Sequence, residues 1–206
     1  MLFVVAASDK QWNEVTALRP DIDWQRVEDS AAFTQYVNAD GFFSLKDSII
    51  LPEFNFLSNP VFIHSVVQTL ADLNAPAHVY RINGWATFLN RTAWEICGNA
   101  NAAIEAISSK LNTKLYFVKD EPGFISARII AMIINEAYFT IEDDVSSKAE
   151  IDTAMKLGTN YPYGPFEWAQ LIGANNILSL LQKLNITDAR YQPSPFLIKE
   201  VTENKE

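Results

Sequence analysis

The sequence predicts an α/β unit over residues 1–118 followed by a small all-helical unit over 119–206. Three observations carry that expectation. Short apolar runs rich in Val, Ile, Phe and Leu alternate with helix-spaced segments in the first part of the chain. After Lys119 the strand-like runs stop, and long stretches with a helical period take over. The composition, 49% hydrophobic and 12% aromatic over 206 residues, is that of a packed protein. A chain of this length buries roughly 70% of its unfolded surface.

Leu2 to Ala6 is a continuous apolar run, the pattern of a strand buried on both faces, and residues 9–18 follow as a helix with Trp12, Val15 and Leu18 on one side. Further strands are predicted at 22–24, 42–45, 48–51, 78–82, 92–96 and 114–118, and helices at 30–37, 61–73 and 100–111. Strands alternating with helices favour a mostly parallel sheet.

Asp120-Glu121-Pro122-Gly123 has an acidic first turn with proline at its start, so a long helix is expected from 122 to about 143. Phe124, Ile125, Ile129, Met132, Ile133, Ala137 and Ile141 fall on one broad face of it, and Ile130 and Ile134 extend that face. Ser147-Lys148-Ala149-Glu150 fits a capping box, with the second helix ending at Gly158. A third helix is expected from Pro165 to near Gly173 and a fourth from 176 to 184, before a tail containing Gln192-Pro193-Ser194-Pro195.

Composition excludes several functions. With 16 Lys+Arg against 25 Asp+Glu, the net charge of −9 repels a phosphate backbone, so no nucleic-acid partner is expected. One Cys excludes an internal disulfide and a cysteine-rich zinc site, and two His, His64 and His78, leave little for a histidine metal centre. The opening residues carry no basic n-region, and no run approaches the length of a membrane span, so a cytoplasmic chain with no membrane partner is expected. Among the seven glycines neither G-x-G-x-x-G nor G-x-x-x-x-G-K-[ST] occurs.

Three motifs then point to a family. Val118-Lys119-Asp120-Glu121-Pro122-Gly123-Phe124-Ile125, Glu150-Ile151-Asp152-Thr153-Ala154-Met155-Lys156-Leu157-Gly158 and Tyr161-Pro162-Tyr163-Gly164-Pro165-Phe166-Glu167 resemble, in order and spacing, the C-terminal domain of the 3-hydroxyacyl-CoA dehydrogenases. Tyr191-Gln192-Pro193-Ser194-Pro195 is similar to that family's Y-x-P-S-P tail, and the resemblance runs from about His78 to Val201. It implies an NAD-dependent oxidoreductase of fatty-acid β-oxidation, with a Rossmann-like domain and a helical domain that helps form the substrate cleft and the dimer. In the family a His takes the proton of the substrate hydroxyl, and a Glu on the adjoining strand orients that His.

Laying the family's H-F-F-N-P and K-L-V-E motifs on residues 83–95 needs no gap and places the Glu at Glu95 and the base at Asn83. An amide cannot serve as general base near neutral pH. The family's Asn three residues past its His is Ala86, and the Asn of P-G-F-I-x-N-R is Ala127, just before Arg128. The first strand runs into Ala6-Ala7-Ser8-Asp9 where the family has its glycine turn, and Asp9 adds negative charge where a phosphate sits. The resemblance therefore implies a shortened, degenerate Rossmann-like domain, no NAD cofactor in this chain, an acyl-CoA or related small molecule as ligand, and a homodimer through the helical domain. The rival readings are a working NAD-dependent dehydrogenase with His78 as base and a structural or regulatory dimerising subunit.

The same residues have plainer roles. Glu95 is a cleft carboxylate or a solvent-facing strand residue; Asn83 is a ligand contact or, with Gly84, a turn. Trp85, Phe88 and Trp94 line an acyl pocket or belong to the core. Cys97 is expected to be an inert thiol, His64 and His78 structural, and Glu142-Asp143-Asp144 a solvated helix end.

Overall fold

The computed structural model describes residues 1–46 and 54–203, so the strand expected at 48–51 lies outside the described residues. The chain divides into two compact units, Met1–Phe124 and Ile125–Glu206.

The first unit is a seven-stranded sheet of β1 (Leu2–Ala6), β2 (Asp23–Val27), β3 (Gly41–Ser44), β4 (Val61–His64), β5 (Val79–Ile82), β6 (Ala93–Cys97) and β7 (Lys114–Phe117), with α1 (Asp9–Ala17) and α2 (Ala102–Lys110) between strands. Spatial order is β2-β1-β3-β4-β5-β6-β7. Every neighbouring pair is parallel except β5 and β6, whose antiparallel register pairs Arg81 with Cys97 and Ile82 with Ile96. The expected mostly parallel sheet is what the chain forms.

Strand parity divides the core. Phe3, Val5, Phe43, Phe62, Tyr80, Ile82, Trp94 and Ile96 pack on one face with α1 and α2 residues Val15, Ile104 and Ile107. Val4, Ala6, Phe42, Val61, Ile63 and Val79 pack on the other with Phe33 and Phe54. Both faces are apolar, which is why these strands appear in the sequence as unbroken hydrophobic runs.

Two expected helices are corrected here. Residues 61–73 contain β4, fully buried, followed by turns in which Thr69 N–H donates to Asp72 Oδ2 and Asp72 N–H to Thr69 Oγ1. A short apolar run fits a buried strand as well as a helix, and its length of four residues decides for the strand. Residues 30–37 form only a 3₁₀ helix, Ser30–Gln35, capped by the Asp29 side chain.

The second unit consists of α3 (Ser126–Glu142), α4 (Lys148–Thr159), α5 (Pro165–Ile172), α6 (Ala174–Asn185) and α7 (Pro195–Glu203). The expected start of α3 at Pro122 is overturned, because Gly123 and Phe124 have φ of 83° and 51° and cannot continue a right-handed helix. Its buried stripe is Ala127, Ile130, Ala131, Ile134, Asn135, Ala137 and Tyr138, whereas Ile125 and Ile129 are exposed. The Ser147 capping box forms with both reciprocal bonds, and α4 ends one residue past Gly158, capped by Asn160 in the left-handed region.

The family-like motifs have structural work in this unit. Asp152 accepts from the N–H groups of Phe166 and Glu167, satisfying the first turn of α5, and a Cβ at Gly164 would come within 2.4 Å of its carboxylate. Buried Asn135 donates to Gln192 O and accepts from Ser194 N, which pins the tail before α7. The tail's continuation into a helix was not expected from its sequence.

Candidate functional site

Asn83 follows the last residue of β5, and Glu95 lies in the middle of β6. Continuing the antiparallel register by one step sets Asn83 opposite Glu95. Parity places both on the sheet face of Val79 and Arg81, away from Trp94 and Ile96. Asn83 is 6% exposed; its Oδ1 accepts the Trp85 N–H at 3.0 Å, and its Nδ2 has no hydrogen-bond partner among the described residues. Because Oδ1 is committed to that Asx-type turn, the orientation of the amide is fixed and what remains is a donor. Glu95 is half-buried.

Arg81 anchors this face. Its guanidinium is fully buried, pairs with Asp120, donates to Ser65 O at 2.9 Å and to Glu121 O, and lies 4.6 Å from the Phe124 ring centre. Asp120 also accepts from the N–H groups of Leu70 and Ala71. The charge-assisted network fixes the ends of β4 and β5 on one side of Asn83.

His64, the last residue of β4, fixes the other side. Its Nδ1 accepts the Gly84 N–H at 3.0 Å, so that nitrogen carries the lone pair in the neutral ring. A Cβ at Gly84 would approach His64 Cγ to 2.8 Å, so only glycine lets the imidazole lie this close. Four buried side-chain polar atoms lack partners among the described residues, and three fall between residues 83 and 94: Asn83 Nδ2, Thr87 Oγ1 and Trp94 Nε1. Thr87 also holds φ of 76°, an uncommon conformation for a β-branched residue.

The turn from β1 into α1 is tight and self-capped. Ser8 is the N-cap, its N–H and hydroxyl both bond Gln11 Oε1, and Asp9 in the first turn pairs with Arg26 at 2.7 Å. Gln11 Nε2 donates to Leu45 O at 2.5 Å and Gly84 O at 3.4 Å.

The remaining expected residues resolve as follows. Trp94 is a core residue, and Trp85 and Phe88 are buried. Burial pushes the Cys97 thiol up to about 11, against the weaker opposing pull of Arg81, and its Sγ bonds Lys119 O. His78 bonds Phe54 O through Nε2. Among the described residues no group of His, Cys, Asp and Glu could hold a metal. A cavity of about 410 Å³ in the second unit is bordered by Tyr138, Lys148, Phe166 and Glu200, and these groups bond one another. Sequence reasoning missed Arg81, Glu14, whose carboxylate accepts the Thr87 N–H, and Gln11: the contacts of Arg81 with Asp120, of Glu14 with Thr87 and of Gln11 with Leu45 and Gly84 all reach far along the chain.

The model of the family described as 3-hydroxyacyl-CoA dehydrogenase, C-terminal domain, matches residues 123–206. A 3-hydroxybutyryl-CoA dehydrogenase of Bradyrhizobium diazoefficiens is 41% identical over 95 residues, covering 45% of this chain and 32% of its own length. The human mitochondrial hydroxyacyl-coenzyme A dehydrogenase is 43% identical over 90 residues, covering 42% and 29%. The match thus spans about a third of the length of these curated relatives. The crystal structure of (S)-3-hydroxybutyryl-CoA dehydrogenase from Ralstonia eutropha superposes with a TM-score of 0.75 over 98% of this chain and 93% of that one, at 18% identity, a likeness of fold.

Proposed function

Through its helical unit the chain belongs to the 3-hydroxyacyl-CoA dehydrogenase family, and from that premise we propose that it is a catalytically degenerate member that takes up an acyl-CoA or a related small molecule without oxidising it. The observation that carries this is Asn83. It stands opposite Glu95, where the family resemblance puts a base, yet its amide offers only a buried, unpartnered N–H donor. A donor in that place suits a carbonyl oxygen such as that of a 3-oxoacyl group. A hydroxyl there loses the acceptor for its own proton, and an unmet polar group costs about 1–3 kcal/mol.

The residues do not fit the NAD that the family uses. The turn after β1 has no glycine, its Ser8 N–H is already bonded, and the Asp9 carboxylate adds negative charge to the first turn of α1, the end of the helix that would face a pyrophosphate.

Thermal shift separates the readings, because a ligand that binds only the native state raises stability with its concentration. Acetoacetyl-CoA is expected to raise the melting temperature, and NADH is not. Oxidation of 3-hydroxybutyryl-CoA at an ordinary enzymatic rate would overturn the reading. A dimerising role through the helical unit has its own support in α3, where Ile129 is 54% exposed.

A further inference from the structure

We infer that the Gln11 carboxamide is a built-in occupant of the dinucleotide-phosphate position, so that α1 keeps the crevice of this fold closed to NAD. In open α/β sheets ligands lie outside the carboxyl ends of the strands where the strand order reverses. Here that point falls between β1 and β3, since β2 lies on one side of β1 and the rest of the sheet on the other. A phosphate in such a crevice accepts from N–H groups at the start of the first helix. In this chain the Ser8 N–H and Oγ–H both donate to Gln11 Oε1, at 3.1 and 2.9 Å, so a side-chain oxygen takes what a phosphate oxygen would take.

A glutamine at the third helical position is common in capping boxes, and that alone would explain the Oε1 bonds. It does not explain the other end of the same side chain. Nε2 reaches Leu45 O, just past β3, and Gly84 O, just past β5, 34 and 73 residues away in sequence. One carboxamide thereby ties the β1–α1 turn to the ends of β3 and β5 across the reversal point. Asp9 adds a negative charge at the mouth and engages Arg26, which also donates to Ala7 O. A dinucleotide must displace all of these contacts to enter.

The test is NADH titration of the full chain by calorimetry, with circular dichroism as the check of folding. Wild type is expected to show no saturable binding, and Gln11→Ala to show it. Asp9→Asn with Gln11→Ala should bind at least about tenfold more tightly than Gln11→Ala, because a like charge is gone and Arg26 is released. If Gln11→Ala does not fold, Gln11→Ser is titrated instead, with the same result expected. Wild type that binds NADH as tightly as the variants would overturn the inference. So would folded single and double variants that still fail to bind.

Discussion

Glu14 holds the backbone N–H of Thr87 with both carboxylate oxygens, at 2.8 and 2.9 Å. That grip spans 73 residues and ties α1 to the β5–β6 connection at the residue whose backbone is left-handed. Arg19, two residues past the end of α1, donates to Leu89 O and Arg91 O and stacks 4.4 Å from the Trp94 ring. Burial lowers its guanidinium to about 10, still charged at neutral pH. Helix α1 and the loop after Asn83 therefore behave as one structural piece.

Removing the grip should be costly. Glu14→Ala is expected to lower the unfolding free energy by about 1.5–3 kcal/mol, the range for a hydrogen bond to a charged group. Thr87→Gly should be neutral or stabilising by up to about 1 kcal/mol, since glycine relieves left-handed strain but gains freedom in the unfolded chain. Urea unfolding of both variants checks this, and a Thr87→Gly as damaging as Glu14→Ala would show that the strain is not what the φ angle implies.

The contact between Gly84 and His64 makes a second expectation. Gly84→Ala would set a methyl 2.8 Å from the ring, so the chain should lose about 1–3 kcal/mol. Truncating the obstacle restores room. In Gly84→Ala with His64→Ala the loss should be less than the sum of the two single losses, which a double-mutant cycle measures directly.

What the sequence made legible follows from the range of the interactions. Leu2–Ala6, the Ser147 capping box and the α5 start at Pro165 depend on residues a few positions apart, and all three formed. The stretch 61–73 misled because a four-residue buried strand, three apolar residues and His64, is too short to show a period that distinguishes it from a helix. The start of α3 misled because proline and acidic residues suit a helix N-terminus, while the left-handed Gly123 and Phe124 are set by their surroundings, Gly123 N–H bonding Val66 O. The family motif pointed to Asn83 and Glu95, and the extended register sets these two residues opposite each other. Their fixing by His64, Arg81 and Gln11 depends on partners 16 to 73 residues away, which no local pattern reports.

Acid should weaken the helical caps. The Ser147 hydroxyl and N–H hold the Glu150 carboxyl below its usual 4.5, and Lys156, then the Gly164 N–H, do the same for Glu167. A carboxyl depressed in the folded state contributes stability that is full above its unfolded value and is lost as pH falls through the folded value. The melting temperature should therefore drop below about pH 4.5, less steeply in Glu150→Gln and Glu167→Gln. Equal slopes in wild type and both variants would remove these two carboxylates from the acid response.

Catalysis should stay absent even when the base is put back. Loss of a general base alone costs about 10²- to 10⁴-fold, and Asn83→His repairs only that. The variant is expected to show no NAD-dependent oxidation of 3-hydroxybutyryl-CoA above wild type. Substantial turnover would mean that the dinucleotide position survives despite Ser8, Asp9 and Gln11.

The last expectation concerns a homodimer through α3, and the structure changes which residues test it. Ile130 and Ile134 extend the broad apolar face expected from sequence, yet they are 9% and 0% exposed and lie in the buried stripe of their own unit, so they are not available to a partner. Ile129 in α3 and Ile125 just before it, at 54% and 56%, are the exposed isoleucines on this side of the helical unit. If a second copy covers them, light scattering at micromolar concentration should give twice the 23.2 kDa of the chain. Ile129→Glu should then halve that mass while the circular dichroism stays native, because the interface would bury an unpaired carboxylate while the unit's own core does not contain this side chain. Ile134→Glu should instead unfold the helical unit, since it buries an unpaired carboxylate. A wild-type mass of one chain, or an Ile129→Glu variant that remains a dimer, would take the interface away from this face of α3.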